Sequence, residues 1–145
     1  MRGEVHDENA FALGGWSGHA GLFGIAEEVF LLARHISAHY RGDRCDWISP
    51  STARNFLDRG SSRCRGTWVL GWDTPTEGSS TSGRYFSRNT VGHLGFTGTS
   101  LWIDLERDVI VVLLTNRIHP VRGNEKIRAF RPFIHDAVMR AMGYA

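Results

Sequence analysis

The sequence predicts an α+β fold, an antiparallel β-sheet with flanking helices, and three observations predict it. Helical periodicity marks one segment early in the chain and another at its end. β-branched and aromatic runs fill the stretch between them. The last two of these runs are joined only by Asp104 to Asp108, a link that suits an antiparallel hairpin and is too short for a crossover. With 145 residues, 41% hydrophobic and 22% charged, the chain has the composition of one modest globular domain without internal repeats.

Gly14 to Gly24 holds five glycines in eleven residues, which favours a tight loop with exposed backbone. From Ile25 to Tyr40 the residues Ile25, Val29, Leu32, Ala33 and Ile36 recur at helical spacing. Glu27 and Glu28 open that helix, Arg34, His35 and His39 lie near its end, and Gly42 closes it. Ser49-Pro50 reads as an N-cap followed by a first-turn proline, starting a short helix through Leu57. Thr67 to Asp73 places Trp68, Leu70 and Trp72 on one face of a strand, and the Ser-, Thr- and Gly-rich stretch from Pro75 to Gly83 is an exposed loop. One further strand runs from about Gly92 to Phe96 and on to Asp104, and another covers Val109 to Thr115. Pro132 fits the first turn of a last helix whose apolar face is Phe133, Ile134, Ala137, Val138 and Ala141, with Gly143 near its end.

Charge and composition exclude several functions. Lys+Arg 17 against Asp+Glu 15, a net charge of +2, leaves no basic footprint for nucleic acid. The longest apolar run, Val109 to Leu114, falls far short of the roughly 20 residues that span a bilayer, so no membrane span is expected. Cys45 and Cys64 form no CxxC pair and read as two free thiols, and no cofactor is expected. The start Met1-Arg2-Gly3-Glu4 lacks the apolar core of a secretory signal, which says little if the chain begins inside a larger protein.

Chemistry concentrates between Gly92 and Asp104. A glycine inside a strand, Gly95, lets another molecule approach the backbone, and His93 projects to the same side two residues earlier. On spacing alone, His-x-Gly carries little information. Elsewhere, His6, Asp7 and His19 read as loop-structuring residues rather than metal ligands, His35 and His39 as solvated cations near a helix end, and His119 and His135 as capping or packing residues. Ser17 approaches a Gly-x-Ser-x-Gly pattern, but Gly18 stands one place too early and no strand precedes it. The tryptophans read as core. Arg2, Arg84, Arg88, Arg117, Arg122, Arg128 and Arg131 are candidates for a carboxylate-binding fork beside His93, and the sequence does not choose among them.

The run His93-Leu94-Gly95-Phe96-Thr97-Gly98-Thr99-Ser100 continues into Leu101-Trp102-Ile103-Asp104, the turn Glu106-Arg107-Asp108 and a strand ending Leu114-Thr115-Asn116-Arg117. Together these resemble the C-terminal part of serine hydrolases of the β-lactamase and penicillin-binding-protein superfamily, in its class C-like branch. Val5-His6-Asp7-Glu8-Asn9-Ala10, Gly18-His19-Ala20-Gly21-Leu22-Phe23 with Ile25-Ala26-Glu27-Glu28, and the closing Arg131 to Val138 resemble the same branch, in order, over nearly the whole chain. The resemblance implies a partial β-lactamase/transpeptidase-like fold and an acyl-enzyme mechanism built from Ser-x-x-Lys, Tyr-x-Asn and Lys/His-x-Gly motifs. His93-Leu94-Gly95 matches the third motif. By resemblance, His93 meets the substrate or the proton network, Gly95 keeps the strand open, the Phe96 N–H is an oxyanion donor, and Leu94 and Thr97 lie against the substrate.

The first two motifs are missing. Gly123 stands three residues before Lys126, the only lysine, and neither Tyr40 nor Tyr85 is followed two places on by asparagine. The resemblance therefore implies that residues 1–145 are the C-terminal segment of a longer hydrolase and are inactive alone. The implied substrate is a D-Ala-D-Ala peptide of peptidoglycan type, a β-lactam or a small ester, in the periplasm or cell envelope unless the parent is cytoplasmic. A segment lacking part of its domain is expected to self-associate as a homo-oligomer. Two rivals stand beside this reading: a non-catalytic ligand-binding or interaction module using the same cleft, and metal-dependent hydrolysis through His6, Asp7 and His19.

Overall fold

The computed structural model describes residues 3–60 and 66–145, so Arg2 and Cys64 lie outside the described residues. The elements are α1 (Glu8–Ala12), α2 (Ala26–Arg41), α3 (Pro50–Leu57), β1 (Trp68–Val69), β2 (Trp72–Asp73), β3 (Thr90–Leu94), β4 (Ser100–Asp104), β5 (Val109–Leu113) and α4 (Ile127–Ala141). Local chemistry accounts for most boundaries. Ser49 accepts a hydrogen bond from the Thr52 amide at 3.1 Å and starts α3 on Pro50. Gly42, at φ 92, ends α2 with its amide on the carbonyls of Ala38 and His39. α1, which the glycine-rich surroundings hide in the sequence, is capped by Asp7.

The sheet has five strands in chain order, each antiparallel to the next. This is the expected α+β architecture, with three local corrections. First, Thr67 to Asp73 is not one strand: it folds back at Leu70-Gly71, with Gly71 at φ 80, so that Trp68 pairs with Asp73 and Val69 with Trp72. Val69, not the tryptophans beside it, is the residue buried there. Second, the stretch from Gly92 to Asp104 breaks into the hairpin β3–β4. The Gly95 amide donates to the Thr99 carbonyl at 2.8 Å, the Gly98 amide donates to the Gly95 carbonyl at 3.0 Å, and Gly98 takes φ 97.

Third, α4 begins five residues before Pro132, which sits in the helix interior and only removes one amide donor. Its buried face is Arg131, His135, Asp136 and Met139, whereas Phe133 from the expected apolar face is 63% exposed.

Helices cover both faces of the sheet. On one, Ala33 and Leu57 from the helices α2 and α3 pack with Val69, Val91, Ile103 and Leu105. On the other, Met139 of α4 packs with Phe86, Trp102, Val109 and Val111. Strand alternation assigns the faces: Val91 and His93 point toward the α2 side, Gly92 and Leu94 toward α4. Gly92 lies opposite Trp102, and a Cβ there would overlap the indole ring.

Candidate active site

The β3–β4 turn carries the residues singled out above. His93 is exposed, and its Nδ1–H donates to the Leu94 carbonyl at 3.0 Å, which leaves Nε2 bonded to no described group. The Trp68 ring stands edge-on to it, with centroids 5.6 Å apart. Leu94 turns to the opposite face and packs against the Trp102–Met139 cluster, so what it shares with His93 is backbone. At Gly95 the space of a side chain is taken by the Thr99 hydroxyl, which explains the glycine from within the turn itself.

Phe96 is 50% exposed. Its ring stacks on His6 at 5.8 Å, and the guanidiniums of Arg117 and Arg122 lie 4.9 and 5.1 Å from its centroid. The Phe96 carbonyl accepts from Arg117 Nε at 2.8 Å, while its amide has no acceptor among the described residues. Thr97 is held through its carbonyl, which accepts from the Arg117 amide at 2.9 Å and the Thr115 hydroxyl at 3.0 Å.

Two arginines thus support the turn from behind, and the third candidate nearby, Arg128, pairs with Glu125 at 3.0 Å. Gly95, Phe96, Arg117, Glu125, Ile127, Arg128 and Arg131 line a cavity of about 110 Å³. A larger cavity of about 380 Å³ between Leu31, Arg34, His35, Arg41 and Arg44 shares no residue with the turn. Arg84 is occupied elsewhere, on Asp136.

Of the other histidines, His39 departs from expectation and His135 packs as expected. His39 is fully buried rather than solvated, with Nδ1–H donating to the His35 carbonyl at 2.7 Å and Trp47 stacked over both rings. His135 is buried between the Thr81 carbonyl at 2.9 Å and the Ser100 hydroxyl at 3.0 Å. Burial holds it below the ordinary imidazole value, against the opposing hydrogen bond to Thr81.

The glycine-rich loop is tied down by a relay that spacing alone does not reveal. Ser17 Oγ lies 2.6 Å from His19 Nδ1, and His19 Nε2 lies 2.9 Å from Asp7. Asp7 caps the Ala10 amide at 2.8 Å, and that bond followed by the one to His19 keeps its carboxyl below the usual range. His6 turns away from this pair onto Phe96, and the described residues hold no group of three or more His, Cys, Asp or Glu able to bind a metal. Among them, too, no helix is long and apolar enough to cross a membrane.

Residues 2–132 match the Beta-lactamase family. A protein of Escherichia coli (strain K12) named "Putative D-alanyl-D-alanine carboxypeptidase" is 36% identical over 129 residues, 86% of this chain and 29% of that protein. An N-acetylmuramyl-L-alanine amidase of Bacillus subtilis (strain 168) is 36% identical over 124 residues, 82% of this chain and 27% of the relative. A beta-lactamase structure from Mycobacterium bovis superposes with a TM-score of 0.61 at 21% identity, over 84% of this chain and 46% of that one, a likeness of fold. The chain spans less than a third of the length of the curated relatives it matches. By sequence and by fold, it belongs to the beta-lactamase family.

Proposed function

We propose that this chain forms the His-x-Gly wall of the cleft of a class C-like serine hydrolase, whose nucleophile is supplied by a segment outside it. One observation carries the reading. At the end of β3, an exposed imidazole is followed three residues on by an amide, Phe96 N–H, that no described group occupies. A seryl oxygen attacking an amide or ester carbonyl forms a C–O bond and a tetrahedral oxyanion. Phe96 N–H would donate a hydrogen bond to that oxyanion. Collapse of the intermediate breaks the C–N or C–O bond, the leaving group takes a proton, and water then releases the acyl group. His93 Nε2 lies on the side where a proton network or the substrate would meet the strand.

The carboxypeptidase relatives favour a cell-wall peptide with a terminal D-alanine, and the amidase relative an N-acetylmuramyl-L-alanine amide. The guanidiniums around Phe96 are engaged already, Arg122 with Glu8 and Arg117 with the carbonyls of Phe96, Arg122 and Asn124, so they serve the turn rather than a substrate carboxylate. A partner segment is supported by the surface as well: Trp16 is 87% and Leu22 90% exposed, on the loop that leads into α2. Without that cover, the same patch is expected to drive self-association into a homo-oligomer.

Fluorescent penicillin tests the reading. The chain alone should form no covalent adduct, and the gene product that includes an upstream Ser-x-x-Lys segment should form one, on that serine. A stoichiometric adduct on a serine of this chain overturns the proposal. Reversible binding without any adduct points instead to a non-catalytic module.

A further inference from the structure

The guanidinium of Arg131, only 7% exposed, reaches from α4 to the underside of the β3–β4 turn. Nη2 donates to the carbonyls of Gly95 at 2.8 Å and Thr99 at 2.9 Å, and Nε donates to Gly98 at 3.1 Å. No carboxylate pairs with it among the described residues, so a buried positive charge is compensated by carbonyl dipoles alone, an arrangement that costs desolvation. Burial, with Arg117 nearby, lowers its affinity for the proton.

The Gly95 carbonyl and the Phe96 amide are two ends of one planar peptide group. Whatever fixes the oxygen fixes the direction of the N–H, and a charged donor on the oxygen makes that N–H a stronger donor. On the other side of Phe96, Arg117 holds the next carbonyl at 2.8 Å. Both peptide planes around residue 96 are therefore clamped by arginine.

We infer that Arg131 is a positioning residue, which aims and polarises the Phe96 amide toward the point where the oxyanion develops. The inference rests on the reading of Phe96 N–H as an oxyanion donor. Arg131→Lys keeps the charge but cannot span three carbonyls, and Arg131→Met removes both. In the gene product carrying the upstream serine, Arg131→Lys should lower kcat about tenfold or more with KM nearly unchanged, as expected when donor geometry is lost in the transition state. In amide NMR spectra of the 145-residue chain, the Phe96 N–H should shift and exchange faster in Arg131→Lys, while amides of β5 stay in place.

Wild-type kcat in Arg131→Lys, or an unmoved Phe96 amide in a folded variant, overturns the inference. If Arg131→Met fails to fold, Arg131→Lys decides alone. Failure of the underlying reading looks different: the wild-type gene product forms no acyl adduct even though the Phe96 amide responds to the substitution.

Discussion

The two faces of the sheet are finished to different degrees. Toward α4, Trp102 and Met139 are fully buried; His135 beside them is held by Ser100 and Thr81 and Arg131 by the turn carbonyls, while the Trp102 indole N–H has no partner among the described residues. Toward α2, the inner stripe is packed, yet Phe30, Leu31 and Leu32 point outward, with Leu31 52% exposed. A surface helix shows one apolar stripe. α2 carries three consecutive apolar residues on its outer side, against the separated Phe130 and Phe133 of α4, 43% and 63% exposed, and so behaves as a helix built to be covered on both sides. Apolar content alone does not distinguish a completed core from one awaiting a neighbour; the distribution around the helix does.

Substitutions on each face can break this contrast. Trp102→Ala should cost about 3–5 kcal/mol in a denaturant titration, since it empties the centre of the completed face; a loss below about 1 kcal/mol would contradict it. Gly92→Ala should cost about 1–3 kcal/mol by overpacking, because the new Cβ overlaps the Trp102 ring and lies 2.6 Å from the Leu101 carbonyl oxygen. The acid limb sharpens the picture further. His135 is held below its ordinary value of 6.5, so the unfolded chain takes up the proton first. The stability it contributes is full above that value and declines as pH falls through it toward the lower folded-state value. His135→Gln should flatten this decline when denaturation midpoints are compared across pH.

On the unfinished face, Leu31→Ser should change stability by no more than about 0.5 kcal/mol. In light scattering the same change should shift the chain toward monomer, and unchanged association would place the sticky surface elsewhere.

How much could be read from residues alone follows a physical divide. α2, α3 and the β4–β5 hairpin were legible because caps, periodicity and a short polar link act locally. The breaks at Gly71 and Gly98 were not, because a glycine within a β-rich run reads equally as a bulge, an open strand or a turn, and only its positive φ decides. Pro132 misplaced the start of α4: a proline is most at home in the first turn, and nothing local signals that five residues precede it.

At the site, His93 and Gly95 came from a resemblance, since their spacing is too common to identify anything. The sequence reads His135 as a packing residue, which its burial matches, and offers Arg131 only as one of seven fork candidates; its place under the turn stays hidden because polar residues on a helix usually face water. The spacing of four between Arg131 and His135, with Met139 a further four along, put all three on one face, and that pattern was the available signal.

Neighbouring strands in space are also neighbours along the chain, from first to last. Every pairing but β2–β3, whose strands are separated by residues 74–89, closes a loop of a few residues, so the entropy of closure is small and the sheet can zip up progressively. The β3–β5 ladder closes entirely within residues 90–113, which recommends this region as one half in split-protein reconstitution.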